Sequence, residues 1–415
     1  MPGDRASEPD ARHRAASPEA VGLSSSQLRR LDEHLAAYVA AGRLPGAVVL
    51  VARQGQVAHV GATGMADVER RVPIGPDTIF RVYSMTKPLT AVALLQLYES
   101  GAIRLDDLVD EYLPGWRELE VRVSGSHPTF VTRPPNRPMV VADLLSHQSG
   151  LAYGLSATES EVDRAYAIAD PLAPTNTLVE MVDVLAGLPL AFSPGERWKY
   201  SIATDVCARI VEIISCMPFD EYLRENVIDP LGMRDTGFSV PPGDLSRLAA
   251  GYRVDPAGLT LVDDPQQSRF AVRPALLSGG GGLVSTVTDY WRFSQALCNG
   301  GTFAGERVLG RKTVDLMASN HLTGGADLAT VALGRWGESS FAGVGFGLGV
   351  AVTLDPAATR VAGSSGEFSW GGMAGTAFFV DRAEQLVVIL MTQATPSSAY
   401  PIRRELRAIA YSALE

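Results

Sequence analysis

Cysteine and lysine are the scarce residues of this 415-residue chain, and each scarcity excludes something. The three cysteines, Cys207, Cys216 and Cys298, are odd in number and lack a Cys-x-x-Cys spacing, so neither a disulfide framework nor a zinc site is expected. They read as small core residues, and no metal or cofactor is called for. Long apolar runs are also missing: no segment reaches the roughly 18 uncharged apolar residues of a membrane span. The first twenty residues have no signal-peptide apolar core. The expectation is a cytoplasmic protein with no membrane partner and a disordered start over residues 1–16. Positive charge is in deficit too. A net charge of −10 with no basic run leaves no electrostatic footprint for nucleic acid. Finally, there is no Gly-x-Ser-x-Gly elbow, no Walker loop and no His-Glu-x-x-His among the six histidines.

What remains is ordinary globular composition, 46% hydrophobic, long enough for one large core or two smaller ones. Of 36 basic residues only Lys87, Lys199 and Lys312 are lysines, leaving 33 arginines to carry positive charge. A lysine here needs a reason. Guanidinium keeps its proton in a protein, whereas an ammonium desolvated among apolar neighbours can become an amine and accept one. Lys87 stands three residues after Ser84, in Ser84-Met85-Thr86-Lys87.

The pattern around that motif is helical. Pro88 to Glu99 is nearly all apolar and closes at Ser100-Gly101, which predicts a buried helix with Ser84 at its N-terminus. Residues three apart share a helix face, so hydroxyl and amine can enter one pocket. The free amides of a helix start can also face a developing oxyanion. In a chain of average composition Ser-x-x-Lys arises by chance about once or twice; lysine scarcity lowers that to roughly a fifth.

Elsewhere, Ser24 to Ala41 has helical periodicity, and Gly46 to Ala52 with Val57 to Val60 reads as a hairpin. Thr376 to Val380 and Leu386 to Met391 form a second hairpin, and Ile402 to Leu414 a last helix. From about Arg104 to Val240 the patterns are helical (Val140 to Leu145, Leu178 to Leu185, Thr204 to Ile214, Phe219 to Val227). Thr288 or Asp289 is expected to cap a helix through Leu297. Gly343-x-Gly-x-Gly-x-Gly349 fits a strand needing close backbone approach better than a dinucleotide fingerprint. The expected architecture is α/β: an antiparallel sheet built from N- and C-terminal strands and flanked by helices (17–103 and 241–415), with a mostly helical domain inserted over 104–240.

Two more phrases complete the pattern. Tyr200-Ser201 leads into a helix, and Trp370-Gly371-Gly372-Met373 lies on a C-terminal strand. Ser84-x-x-Lys87, Tyr200-Ser201 and Trp370-Gly371-Gly372, in this order, resemble the serine β-lactamase and penicillin-binding protein superfamily, most closely its family VIII carboxylesterases. Leu144 to Leu151, Pro230-Leu-Gly-Met233 and Gly280 to Thr286 also look like family segments, so the resemblance runs from about Val21 to the C-terminus. It implies a β-lactamase-like fold, Ser84 as nucleophile, Lys87 and Tyr200 as proton carriers, and the backbone amides of Ser84 and Met373 as oxyanion donors. Trp370, Gly371, Gly372 and Tyr153 would line the substrate site, with His147 making a structural hydrogen bond beneath it. Two departures matter. The lactamases' third element, Lys-Thr-Gly, is replaced by Trp370-Gly371-Gly372, removing a carboxylate anchor. Ile202 stands where lactamases carry Asn after Tyr-Ser. Both losses point toward small neutral esters. Acyl transfer or weak β-lactamase or D-amino acid peptidase activity on the same fold is the alternative, and a silent binding protein a remote one.

Overall fold

The computed structural model describes residues 13–154, 159–333 and 341–415. Of the segment read as disordered, residues 1–12 lie outside the described residues. His13 packs between Trp291 and Phe303, and Arg14 bridges to Val57.

The chain begins with α1 (Ser25–Ala40), then β1 (Gly46–Arg53), β2 (Gln56–Asp67) and β3 (Val72–Pro73). Helix α2 (Thr86–Glu99) follows. The middle supplies α3 (Val141–Leu145), α4 (Glu161–Ala169), α5 (Leu178–Ala186), α6 (Ala203–Ser215) and α7 (Phe219–Leu223). After α8 (Val287–Cys298) come β4 (Val344–Phe346), β5 (Ala351–Thr353), β6 (Phe368–Gly371), β7 (Ala377–Asp381), β8 (Leu386–Met391) and α9 (Ile402–Tyr411).

The eight strands form one sheet in the order β4-β5-β6-β7-β8-β1-β2-β3. Neighbours are antiparallel throughout. The junction between β1 and β8, with Val48 opposite Met391 and Arg53 opposite Leu386, joins the two ends of the chain, as expected for this fold class. Period-two alternation assigns the faces. Val48, Leu50, Ala52, Val387, Ile389 and Met391 join the large core with α2 and α8. Ala47, Val49, Val51, Leu386, Val388 and Leu390 pack under α1 and α9. Both faces are covered, which is why β1 and β8 read as continuous apolar runs.

Helix α2 is buried from Thr86 through Leu95. A helix apolar on every side belongs in a core, and the same core continues from the sheet through α2 into α3, α5, α6 and α7. Two sequence readings are corrected locally. The helix expected through Val227 ends at Leu223 and runs on as a π turn, Arg224–Ile228. The cap of α8 is Thr286, whose hydroxyl accepts from Asp289 N, so Thr288 and Asp289 lie inside the helix. A hairpin of Val121–Ser126 and Thr129–Arg133 sits within the region read as mostly helical. No helix among the described residues is long and apolar enough to cross a membrane.

Candidate active site

Ser84 lies where a strand turns into the central helix. Arg81 pairs with Val284, a 3-10 turn covers Tyr83–Met85, and α2 starts at Thr86. Tyr83 takes a left-handed φ of 44°, a conformation costing a residue other than glycine on the order of 1 kcal/mol or more. That strained turn redirects the chain and leaves Ser84 just ahead of the helix rather than inside it. Two long-range bonds hold it: Tyr290 Oη donates to Met85 O at 2.9 Å, and Leu283 N donates to Thr86 Oγ1 at 3.1 Å.

Lys87 is completely buried. Its Nζ donates to Gly280 O at 2.7 Å and stands 3.5 Å from Ser84 Oγ. The three lysines separate here. Lys312 pairs with Asp315 on the surface, and the buried Lys199 pairs with Asp163 at 3.0 Å. Lys87 makes no ion pair among the described residues. Instead its ammonium nitrogen lies 4.6 Å from the centroid of the Tyr200 ring and 5.2 Å from that of Tyr153.

Tyr200 is buried and stacks on Tyr153 at 5.5 Å, with Trp370 at 5.4 Å on another side. Its loop is fixed through His147: Lys199 N donates to His147 O at 3.0 Å, and His147 Nδ1 lies 3.1 Å from Ser201 Oγ. Burial, reinforced by the charge of Lys87, drives the His147 imidazole well below its ordinary range, so it is neutral.

Trp370 is the penultimate residue of β6, which ends at Gly371, and Gly372 carries the chain into a tight turn. A Cβ on Gly372 would fall 2.5 Å from Val82 O, and one on Gly371 2.8 Å from Thr376 O, so only glycine permits this approach. The turn holding Met373 therefore abuts the residues just before Ser84, with the Met373 side chain exposed.

One member of the cluster was not singled out from sequence. Asp205, on the first turn of α6, is fully buried and takes a hydrogen bond from Ser278 Oγ at 2.5 Å and another from Gly280 N at 2.9 Å. Gly280 thus bonds Asp205 through its N–H and Lys87 through its carbonyl. Burial raises the Asp205 carboxyl above its ordinary value, with Lys87 the main opposing influence. The available signal was a carboxylate inside the otherwise uncharged run Ile202 to Ala208.

The beta-lactamase family matches residues 31–412. The chain belongs to that family. Esterase EstB of Burkholderia gladioli is 33% identical over 390 residues, 90% of this chain and 93% of that one. Lovastatin esterase of Penicillium rubens is 29% identical over 382 residues, covering 88% and 92%. Among solved structures, EstCE1, described as a hydrolase with promiscuous acyltransferase activity, superposes with a TM-score of 0.77 at 27% identity, covering 93% of this chain and 99% of that one. The resemblance read from the three motifs thus holds across the chain.

Proposed function

We propose that this protein is a serine carboxylesterase acting on small neutral esters through an acyl-enzyme. The observation that carries the reading is Lys87: buried, without an ion pair among the described residues, 3.5 Å from the Ser84 hydroxyl and beside the Tyr200 ring. A lysine amine held this close to a serine hydroxyl is placed to accept the proton of a nucleophilic serine. Lys87 Nζ, directly or through the Tyr200 hydroxyl, takes the proton from Ser84 Oγ as the oxygen attacks the ester carbonyl. The backbone N–H groups of Ser84 and Met373 bind the oxyanion. Collapse breaks the bond to the alkoxy oxygen, which leaves with a proton relayed by Tyr200. Water then attacks the acyl-enzyme by the same proton path and regenerates Ser84.

Neutral substrates are favoured because Trp370 occupies the place of a carboxylate-binding lysine. The names of EstB and lovastatin esterase support ester hydrolysis, and that of EstCE1 supports acyl transfer as the second reading. The two differ only in whether water or an alcohol reaches the acyl-enzyme. Release of p-nitrophenol from p-nitrophenyl butyrate tests the reading. Ser84→Ala should abolish it, and Tyr200→Phe should lower kcat by about 10² to 10⁴, the usual contribution of a general acid or base. A Ser84→Ala protein as active as wild type would exclude the mechanism.

A further inference from the structure

We infer that Arg403, on the last helix, is a positioning residue that orients the Met373 N–H; this rests on the esterase reading above. Arg403, Arg407 and Tyr411 recur every four residues along α9 and so share one face. All three grip the segment that carries Trp370. Arg407 pairs with Glu367 at 2.8 Å, just before β6. Tyr411 Oη lies 2.6 Å from Glu367 Oε2 and 2.7 Å from Asp381 Oδ2, at the end of β7. Arg403 acts past the other end of β6, where its Nη2 donates to Gly372 O at 2.6 Å and to Thr376 O at 2.9 Å.

Those two carbonyls bracket the turn containing Met373. Gly372 N donates to Thr376 O at 2.8 Å and Gly375 N to Gly372 O at 3.2 Å, so the turn closes on itself and Arg403 fastens both of its ends. Peptide planarity makes this fastening directional. In a trans peptide the carbonyl and the following N–H point in opposite directions. Gly372 O and Met373 N belong to one such peptide. Holding that carbonyl toward Arg403 aims the Met373 N–H away from α9. On the far side the turn meets the Ser84 segment: Thr376 Oγ1 is 3.5 Å from Val82 O, and Gly372 has no room for a side chain against the same oxygen. Arg403 therefore fixes one oxyanion donor from behind, through a peptide plane and without touching substrate.

The test compares p-nitrophenyl butyrate with its thiono analogue, in which C=S replaces C=O. Sulfur is a weak hydrogen-bond acceptor, so the thionoester draws less on the oxyanion donors. Losing such a donor costs about 10² to 10³ in kcat. A donor that is loosened should cost less: Arg403→Met should lower kcat on the oxoester roughly 10- to 100-fold, with KM little changed. The thionoester should lose much less, so the oxo/thiono ratio falls. Arg403→Lys, keeping one donor, should lie between, and it carries the comparison should the Met variant not fold. Arg407→Met, which weakens the same helix elsewhere, should lower the melting temperature and leave the ratio in place. Equal losses on both esters in the Arg403 variants, or none, would overturn the assignment while leaving the esterase reading intact. A wild type inert toward both esters would remove both.

Discussion

Gly349→Ala places a single methyl group where it should damage both stability and turnover. Gly349 lies in the turn between β4 and β5, with φ of +87° and its N–H donating to Leu145 O at 2.9 Å. A Cβ there would sit 2.7 Å from the Cβ of Ala91 and 3.5 Å from Lys87 O. The left-handed conformation costs an alanine about 1–2 kcal/mol. The overlap adds about 1–3 kcal/mol of the kind seen when methylenes are forced into a packed core. The sum, about 2–5 kcal/mol, is a large share of a domain's usual stability of about 5–15 kcal/mol. Ordinary contact would require α2 to retreat by about 1 Å, since carbon pairs prefer roughly 3.5–4.0 Å. Ala91 is one turn beyond Lys87, so the retreat pulls on the 2.7 Å bond from Nζ to Gly280 O. A displacement of about 1 Å at a reacting group can cost roughly 10² in rate. Urea denaturation should show a lowered midpoint with an unchanged slope, and kcat on p-nitrophenyl butyrate should fall at least tenfold. A variant with the wild-type midpoint and wild-type kcat would refute the claim that this turn braces α2.

Two further perturbations probe buried carboxylates. Asp205→Ala leaves the Gly280 N–H and the Ser278 hydroxyl without their acceptor, which should cost about 2–4 kcal/mol and reduce kcat by releasing the carbonyl that holds Lys87; Asp205→Asn, which keeps an acceptor oxygen, should lose less of both. Full activity in the alanine variant would separate Asp205 from the site. Asp289, inside α8, accepts from Asp235 N at 2.7 Å and Thr236 Oγ1 at 3.0 Å, and burial raises its carboxyl from an ordinary 3.8 to about 7. The native state therefore keeps a proton that the unfolded chain releases, so this residue's contribution declines as pH rises from about 4 through 7. Asp289→Asn should remove that decline, so its urea midpoint should fall less than the wild type's between pH 5 and pH 8. Parallel pH profiles would contradict the assignment.

What the sequence disclosed, and what it hid, divides along physical lines. The two terminal hairpins were legible because β1 and β8 are β-branched, buried on both faces and long enough to show it. Helix α2 was legible because nothing polar interrupts it from Pro88 to Leu95 except Thr90. The hairpin at Val121 to Arg133 was not, because its largely exposed strands mix Arg, Ser, Gly and Thr and carry no clean alternation. The site divides differently, by residue abundance. Lys87 stood out because lysine is nearly absent, so one Lys three residues after a Ser demanded explanation. Arg403 is one of 33 arginines and Asp205 one of 46 acidic residues, and neither has a local motif. Each acts on a backbone group far along the chain: Arg403 on Gly372, 31 residues earlier, and Asp205 on Gly280, 75 residues later. Periodicity reports neighbours on one element and is silent about which distant carbonyl or amide a side chain will meet. The serine, lysine and tyrosine proposed to react were therefore readable as letters, while the residues proposed to hold them in register became visible only once the sheet had joined the two ends of the chain.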